Sequence, residues 1–397
     1  MIINRLKFLL FTCLFTGFGL IIPAASLLAQ EPHPDAASTT MVAEEWKIEN
    51  MIFEHINNSN EFHIVGHIAI PLPCILYSRE DGLTTFMSSA LEHGHKAINR
   101  YVLVEGVVKR VKSLEFPAGE VAVDGVTTEE RNGAELSSVS YQGKSYEMES
   151  ASTLGQNTSF FDFSISKVVF TMILASIFLI WLFTSVAKAY EKRKGMAPTG
   201  KQNLMEVMVN FIIDEVAKPM LGDRYMRFLP FLLTIFFFIL TLNLFGLIPF
   251  MPFGANVTGN IAVTMTLAVI TFILVNINGN GAYWKHIFWM PGIPIAMKLF
   301  LAPIELLGIF IKPISLMIRL FANITAGHII ILSLVGLIFV FGKMGASIGG
   351  ATAGAFIAVP FTLFMNLIEL IVALIQAFIF TILAASYLGA ATEEVHH

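Results

Sequence analysis

Two apolar segments near the C-terminal end, about Ala296 to Phe341 and Ala355 to Leu388, are too long for a single upright membrane crossing. About 20 residues at a rise of about 1.5 Å each cross a hydrocarbon core of about 30 Å. Segments of roughly twice that length must be broken, strongly tilted or nearly flat within the membrane. The first of them includes Leu316 to Leu332, where Arg319, Asn323, Thr325 and His328 interrupt an otherwise apolar run. A guanidinium at that depth costs several kcal/mol or more, and such residues mark ion pathways. Arginine does not usefully deprotonate, so it acts as a fixed positive charge and not as a proton carrier.

Only 14% of the residues are charged, against about 25% in an ordinary soluble chain. The composition is that of a polytopic membrane protein with some soluble mass attached. Two cysteines, Cys13 and Cys74, cannot build a disulfide framework.

Residues 1–29 have a basic start (Arg5, Lys7), an apolar run and a Leu27-x-Ala29 ending, the layout of a cleavable secretory signal peptide. An uncleaved anchor is the other reading; either one exports the adjoining segment. Residues 30–160 form the expected external, periplasmic domain. From 31 to 160 there are 19 Asp/Glu against 9 Lys/Arg. Strand character from Arg100 to Arg110 and the dipeptides Asp124-Gly125, Asn132-Gly133 and Gln142-Gly143 predict a small β-rich fold with hairpins. His63-x-x-x-His67 and His93-x-His95 lack a third ligand at metal spacing, so no metal site is read.

Residues 161–397 form the membrane domain. The first span runs from Ile165 to Ala187, and the loop after it carries eight basic residues, Lys188, Lys192, Arg193, Lys194, Lys201, Lys218, Arg224 and Arg227. That loop belongs in the cytoplasm. Within it, Asn203 to Ala217 has the spacing of an amphipathic surface helix. Phe228 to Trp284 holds no charged residue and fits two spans, Phe228 to Ile248 and Ile261 to Val275, joined by an uncharged external turn. The Gly-rich stretch Gly342 to Gly354 links the two long segments, and parity puts the C-terminus inside.

Glu305, Lys312 and Arg319 are seven residues apart, with Asn323 at i+4 from Arg319, so the four form one helical stripe. His328 faces roughly the opposite way. On the second segment, Asn366, Glu369 and Gln376 form another stripe. Antiparallel packing of the pair would bring Gln376 toward Arg319 and His328 toward Glu369. The plainer readings are snorkelling for Glu305 and Lys312, helix–helix glue for Asn323 and Asn366, an Arg319–Glu369 ion pair, and a structural His328–Glu369 hydrogen bond. The functional reading of His328 with Glu369 is a proton relay, since both groups can exchange protons in the physiological range.

Lys312-Pro-Ile-Ser-Leu-Met-Ile-Arg-Leu-Phe-Ala-Asn-Ile-Thr-Ala-Gly-His328 closely resembles the signature of subunit a of rotary F-type ATP synthases. So do Leu374-Ile-Gln-Ala-Phe-Ile-Phe380, Asn243-Leu-Phe-Gly-Leu-Ile-Pro249 and Thr258-Gly-Asn260. The resemblance runs in order from about Ile165 to Glu394 and does not securely cover residues 31–160. It implies an all-α polytopic protein with a pair of long tilted or near-horizontal helices, acting as the proton-translocating stator of Fo in a bacterial inner membrane. It implies a c-ring carboxylate facing Arg319, with Gln376 and Asn323 positioning the guanidinium. His328, Glu369 and Asn366 would line the external half-channel, and Glu305 the cytoplasmic exit. Subunit b, the remaining F1Fo subunits and the bilayer would be partners, with no cofactor, metal or nucleic acid. In the family the positions of His328 and Glu369 often carry the two groups the other way round, a carboxylate first and an imidazole second.

The rival reading is an independent secondary ion or anion transporter with an intramembrane arginine. Such folds show internal repeats with matched broken helices, and the Arg319 motif occurs once. An intramembrane hydrolase lacks its motifs here: there is no His-Glu-x-x-His and no paired intramembrane Asp. The chain also lacks a Gly-x-x-x-x-Gly-Lys-Ser/Thr loop for nucleotide.

Overall fold

The computed structural model describes residues 58–65, 68–131, 134–152, 158–248, 255–290, 294–343 and 347–393. The expected signal peptide, the Asn132-Gly133 dipeptide, the first part of the external turn (249–254) and the His63 and His67 side chains lie outside the described residues.

The region before the membrane helices is built of antiparallel strands: β1 (Glu61–Val65), β2 (Ile68–Pro71), β3 (Pro73–Ser78), β4 (Gly82–Met87), β5 (Lys96–Ile98), β6 (Tyr101–Val104), β7 (Val107–Val111), β8 (Glu120–Ala122), β9 (Gly125–Arg131), β10 (Ala134–Tyr141), β11 (Lys144–Glu149) and β12 (Phe160–Asp162). Seven of them pair in the order β8-β5-β6-β7-β11-β10-β9, and three in the order β12-β3-β4. The two edges of the larger sheet, β8 and β9, are separated in the chain only by Val123 and Asp124. The Val123 N–H bonds His95 O (3.0 Å) and the Asp124 N–H bonds Ser140 O (2.9 Å). A two-residue link between opposite edges requires the sheet to curl round on itself, which hides edges that would otherwise template aggregation. Val102, Val104, Val111, Phe116, Val139 and Met148 fill the inside.

Of the expected hairpins, Gln142-Gly143 turns β10 into β11 with Tyr141 opposite Lys144. Both turn residues have positive φ (49° and 75°), the backbone that matches the twist of a two-residue hairpin. Strands β9 and β10 pair antiparallel, with Arg131 opposite Ala134. Asp124-Gly125 is not a hairpin: it joins the sheet's two edges. Arg100 to Arg110 is not one strand but two, folded at Glu105-Gly106, where φ is again positive (50° and 79°).

Arg100 and Arg110 meet the β3–β4 turn. Arg110 is 1% exposed, and its Nη2 lies 2.7 Å from Glu80 Oε2 and 2.5 Å from Asp81 Oδ2; Arg100 Nη2 bonds Asp81 Oδ1. Burial raises the Asp81 carboxyl, but the hydrogen bonds and charges of Arg100 and Arg110 together outweigh it and hold the group below its usual 3.8. A depressed carboxyl stabilises the fold above the ordinary carboxylate range, and that stability is lost as pH falls through the folded value. Asp81→Asn leaves two buried guanidinium groups short of a counter-charge. It is expected to destabilise the β-rich region by about 3 kcal/mol at pH 7, with the gap closing below about pH 4. Thermal unfolding followed by circular dichroism across pH checks this; an equal penalty at pH 3 and pH 7 would disprove the charge pairing.

The β-rich region is seated directly on the first membrane helix. The Ile165 N–H bonds Pro73 O (3.1 Å), the Lys167 N–H bonds Ser59 O (2.9 Å), and Phe62 packs edge-on to Phe170 at 5.7 Å. The helices are α1 (Lys167–Lys192), α2 (Lys201–Ile212), α3 (Lys218–Leu221), α4 (Tyr225–Leu247), α5 (Ile261–Asn278), α6 (Gly281–Phe288), α7 (Ile295–Phe341) and α8 (Ile348–Thr392). A π-helical turn, Ile213–Ala217, joins α2 to α3. Five helical stretches are long and apolar enough to cross a membrane. The α4 helix is apolar on every side and is the buried centre, with Leu232, Ile235, Phe236, Ile239 and Leu242 all enclosed. The α2 helix departs from a simple amphipathic pattern. It buries Gln202, Met205 and Ile212 against the bundle while leaving Leu204, Val207 and Phe211 exposed on another face.

Helices α7 and α8 contain 47 and 45 residues and are continuous through Pro303, Pro313 and Pro360. Of the three expected arrangements, a break is thereby excluded. Each is about 70 Å long, so to remain within about 30 Å of hydrocarbon its axis must lie at least about 60° from the membrane normal. The link between them is shorter than the Gly-rich stretch implied, because α8 begins at Ile348. Gly350 and Gly354 are helical, and they allow close approach to α7. A Cβ on Gly350 would overlap Phe341 O, and one on Gly354 would meet Phe341 and Ile338 at 3.1 and 3.2 Å. At the end of the bundle away from the β-rich region, Arg224 bonds Thr392 O, the Arg227 guanidinium donates to Asn278 Oδ1 (2.9 Å) and the Asn280 N–H bonds Ala391 O (3.0 Å).

Candidate functional site

The two long helices pack antiparallel, and their stripes meet in register. Asn323 Nδ2 donates to Gln376 Oε1 at 2.9 Å. Further along the pair, His328 Nε2 is 3.8 Å from Glu369 Oε1. Glu369 is 4% exposed, and neither carboxyl oxygen has a hydrogen-bond partner among the described residues. The space for this pair is made by glycines. A Cβ on Gly327 would come within 2.9 Å of Glu369 Oε1, and one on Gly246 of α4 within 3.5 Å of His328 Nε2.

Arg319 is half-buried on α7, one turn before Asn323. Among the described residues no carboxylate lies within 4.0 Å of it, so the simple Arg319–Glu369 ion pair is not formed. Gln376 pairs with Asn323 and not with the guanidinium. Lys312 Nζ lies 5.4 Å from the centre of the Tyr387 ring, partly covered and not free in solvent. Glu305 is half-buried beside Tyr283. Asn366 donates to Thr362 O (3.0 Å) on its own helix.

The His328–Glu369 pair opens on a narrow cavity walled by α4 and the turn before α5, including Asn243, Asn256 and Thr258. Thr258 Oγ1 donates to Asn243 Oδ1 (2.7 Å), and Asn243 Nδ2 to Ala373 O (3.1 Å). Residue spacing did not single out these three as site residues, because each is uncharged and lies outside the two long segments. Asn243 and Thr258 do stand in stretches that carry the family resemblance, whereas for Asn256 the signal was its polarity in an uncharged turn. A second crevice lies further along both long helices, lined by Asn276, Tyr283, Lys312, Leu316 and Tyr387. Arg319 on α7 and Gln376 on α8 fall, in chain order, between the residues lining one cavity and those lining the other.

Residues 169–389 match the family described as ATP synthase A chain, and residues 51–163 match a domain of unknown function, DUF8433. The chain is 44% identical over 243 residues to "ATP synthase subunit a" of Chloroherpeton thalassium, covering 60% of this chain and 69% of that one. It is 43% identical over 238 residues to "ATP synthase subunit a 2" of Chlorobaculum tepidum, covering 58% and 64%. To "ATP synthase subunit a" of Anaeromyxobacter dehalogenans it is 42% identical over 215 residues, 52% of each chain. With more than half of its residues inside the family's match, and the match reaching all five long apolar helical stretches, the chain belongs to the ATP synthase A chain family.

Proposed function

We propose that this chain is the proton-translocating stator of Fo, with two half-channels that meet a rotating ring of c subunits at Arg319. The observation that carries the reading is a half-buried guanidinium on a membrane helix with no carboxylate of its own chain beside it among the described residues. A charge so placed needs a counter-charge from outside the chain, and a ring carboxylate passing the α7–α8 face provides it. The positive charge favours the ionised form of that carboxylate. It also blocks a direct proton leak between the two cavities.

Protons enter by the cavity of His328, Glu369 and Asn243, with Asn366 further along α8. They load the ring carboxylate and, after nearly a full turn, leave by the crevice of Lys312, Tyr283 and Tyr387 with Glu305. Asn323 and Gln376 hold each other beside the guanidinium. The membrane potential contributes about 2.3 kcal/mol per charge per 100 mV. Eight basic residues from the end of α1 to the start of α4 support a cytoplasmic location for that end, and for the C-terminus with it, and a periplasmic one for the β-rich region. The chain performs no nucleotide chemistry itself; subunit b and the F1 sector are its partners. The continuous α7 and α8 also speak against a transporter built on matched broken helices.

Affinity purification in mild detergent tests the reading directly. The chain is expected to bring with it a small ring-forming proteolipid and soluble nucleotide-binding subunits. Recovery of the folded chain alone, from membranes that contain those subunits, would favour an independent transporter.

A further inference from the structure

One buried group at the entry cavity has no assigned task. Asn256 is 4% exposed and lies in the turn between α4 and α5. Its Oδ1 accepts the Gly259 N–H at 2.9 Å, which fixes the side chain in one orientation. Gly259 is required for this, because a Cβ there would overlap the Asn256 side chain. The other end of the amide, Nδ2, is buried and without a hydrogen-bond partner among the described residues. Glu369, whose two carboxyl oxygens are unpartnered among the described residues, lines the same cavity. A buried donor and a buried acceptor, each left unsatisfied on the wall of one cavity, are an expensive arrangement unless they serve each other during the working cycle.

We propose that Asn256 is a positioning residue of the entry path, whose amide donates across the cavity to the ionised Glu369 side chain and so sets the external pH at which the path loads. This rests on the proton-channel reading above. An amide N–H can only donate, and a donor supports a carboxylate over a carboxylic acid. The titratable groups facing Glu369 are few. His328 comes from α7, while α4 and the residues 255–260 contribute none, and residues 249–254 are uncharged in sequence. A change at Asn256 is therefore read against a quiet background.

The test is passive proton flux through the whole complex in liposomes, driven by a potassium diffusion potential, as a function of pH on the entry side. Asn256→Asp keeps an oxygen for the Gly259 N–H but replaces the donor by a second carboxyl oxygen. Two carboxyl groups on one cavity resist joint ionisation, so the half-maximal point is expected to move up by about one pH unit or more. Asn256→Ser keeps both an acceptor and a donor, and its midpoint is expected to stay near that of the native chain. If both profiles superimpose on the native one, or if both variants lose flux equally at every pH, Asn256 only shapes the turn and the proposal fails. Should the aspartate variant not assemble, Asn256→Leu, which also lacks the donor, gives the same reading, and an unmoved midpoint there overturns it. A native complex that conducts no protons at any pH would instead defeat the channel reading itself.

Discussion

Arg319→Ala is expected to abolish ATP-driven proton pumping in membrane vesicles while the complex remains assembled. Arg319 makes no ion pair within its own chain among the described residues, so its removal breaks no internal pairing, and α7 keeps its packing through Leu316, Leu320 and Ile324. On the proposed reading, what is lost is the counter-charge for a carboxylate arriving from outside. Stranding one member of a buried pair costs about 3–5 kcal/mol, which is at least about a hundredfold in rate at about 1.36 kcal/mol per decade. Arg319→Lys is not expected to restore function, because an ammonium is a compact point charge whose proton can leave when it is buried. Assembly is read by co-purification and pumping by quenching of a pH-sensitive dye. Normal coupled pumping by the alanine variant would sink the assignment.

Glu369→Gln is the second large effect. Glutamine keeps the volume beside Gly327 and the contact with His328, but it cannot take up and release a proton. Positioned acid–base groups typically contribute about 10²–10⁴-fold to proton-transfer steps. Proton flux through Fo is therefore expected to fall by about tenfold or more, with assembly unchanged. The 3.8 Å separation of His328 Nε2 from Glu369 Oε1 is long for a static hydrogen bond, which suits a pair that opens and closes during transfer. Unchanged flux would make the pair a structural contact, and the entry path would then have to be sought elsewhere on the α7–α8 face.

Much of the site was legible because membrane burial is so selective. Arg319, His328 and Glu369 stand out in a sequence where Phe228 to Trp284 carries no charge at all. Helical spacing then put Glu305, Lys312, Arg319 and Asn323 on one stripe without any knowledge of the partner helix. The approach of His328 to Glu369 followed from antiparallel packing alone. The meeting of Gln376 with Asn323 did not. Spacing places a residue on a face to within about a turn, and at that precision Arg319 and Asn323 compete equally for Gln376. The place of the neutral residues Asn243, Asn256 and Thr258 on the cavity wall escaped for a related reason, although Asn243 and Thr258 stand in stretches that carry the family resemblance. An uncharged amide or hydroxyl near the end of a span is a common way to finish a helix, and only the tertiary contacts distinguish a cap from a cavity wall.

In the β-rich region the strongest turn signals behaved unequally. Gln142-Gly143 makes the hairpin it advertises. Asp124-Gly125 looks as good in sequence, yet it joins the two outer strands of a curled sheet. Turn chemistry is local, whereas the neighbour of each strand depends on closure of the whole sheet.

Hydropathy and charge count were enough to establish the class of the protein and its apolar stretches, to pick out Arg319 as a permanent charge in a long apolar segment, and to raise an expectation of sidedness. These quantities act through the solvent and need no partner element. Packing was needed to establish that α7 and α8 run unbroken through three prolines, that glycines on α8 draw the pair together, and that Glu369 faces a cavity walled by α4. Those outcomes depend on which side chains share a volume, a property of contacts between elements far apart in the chain.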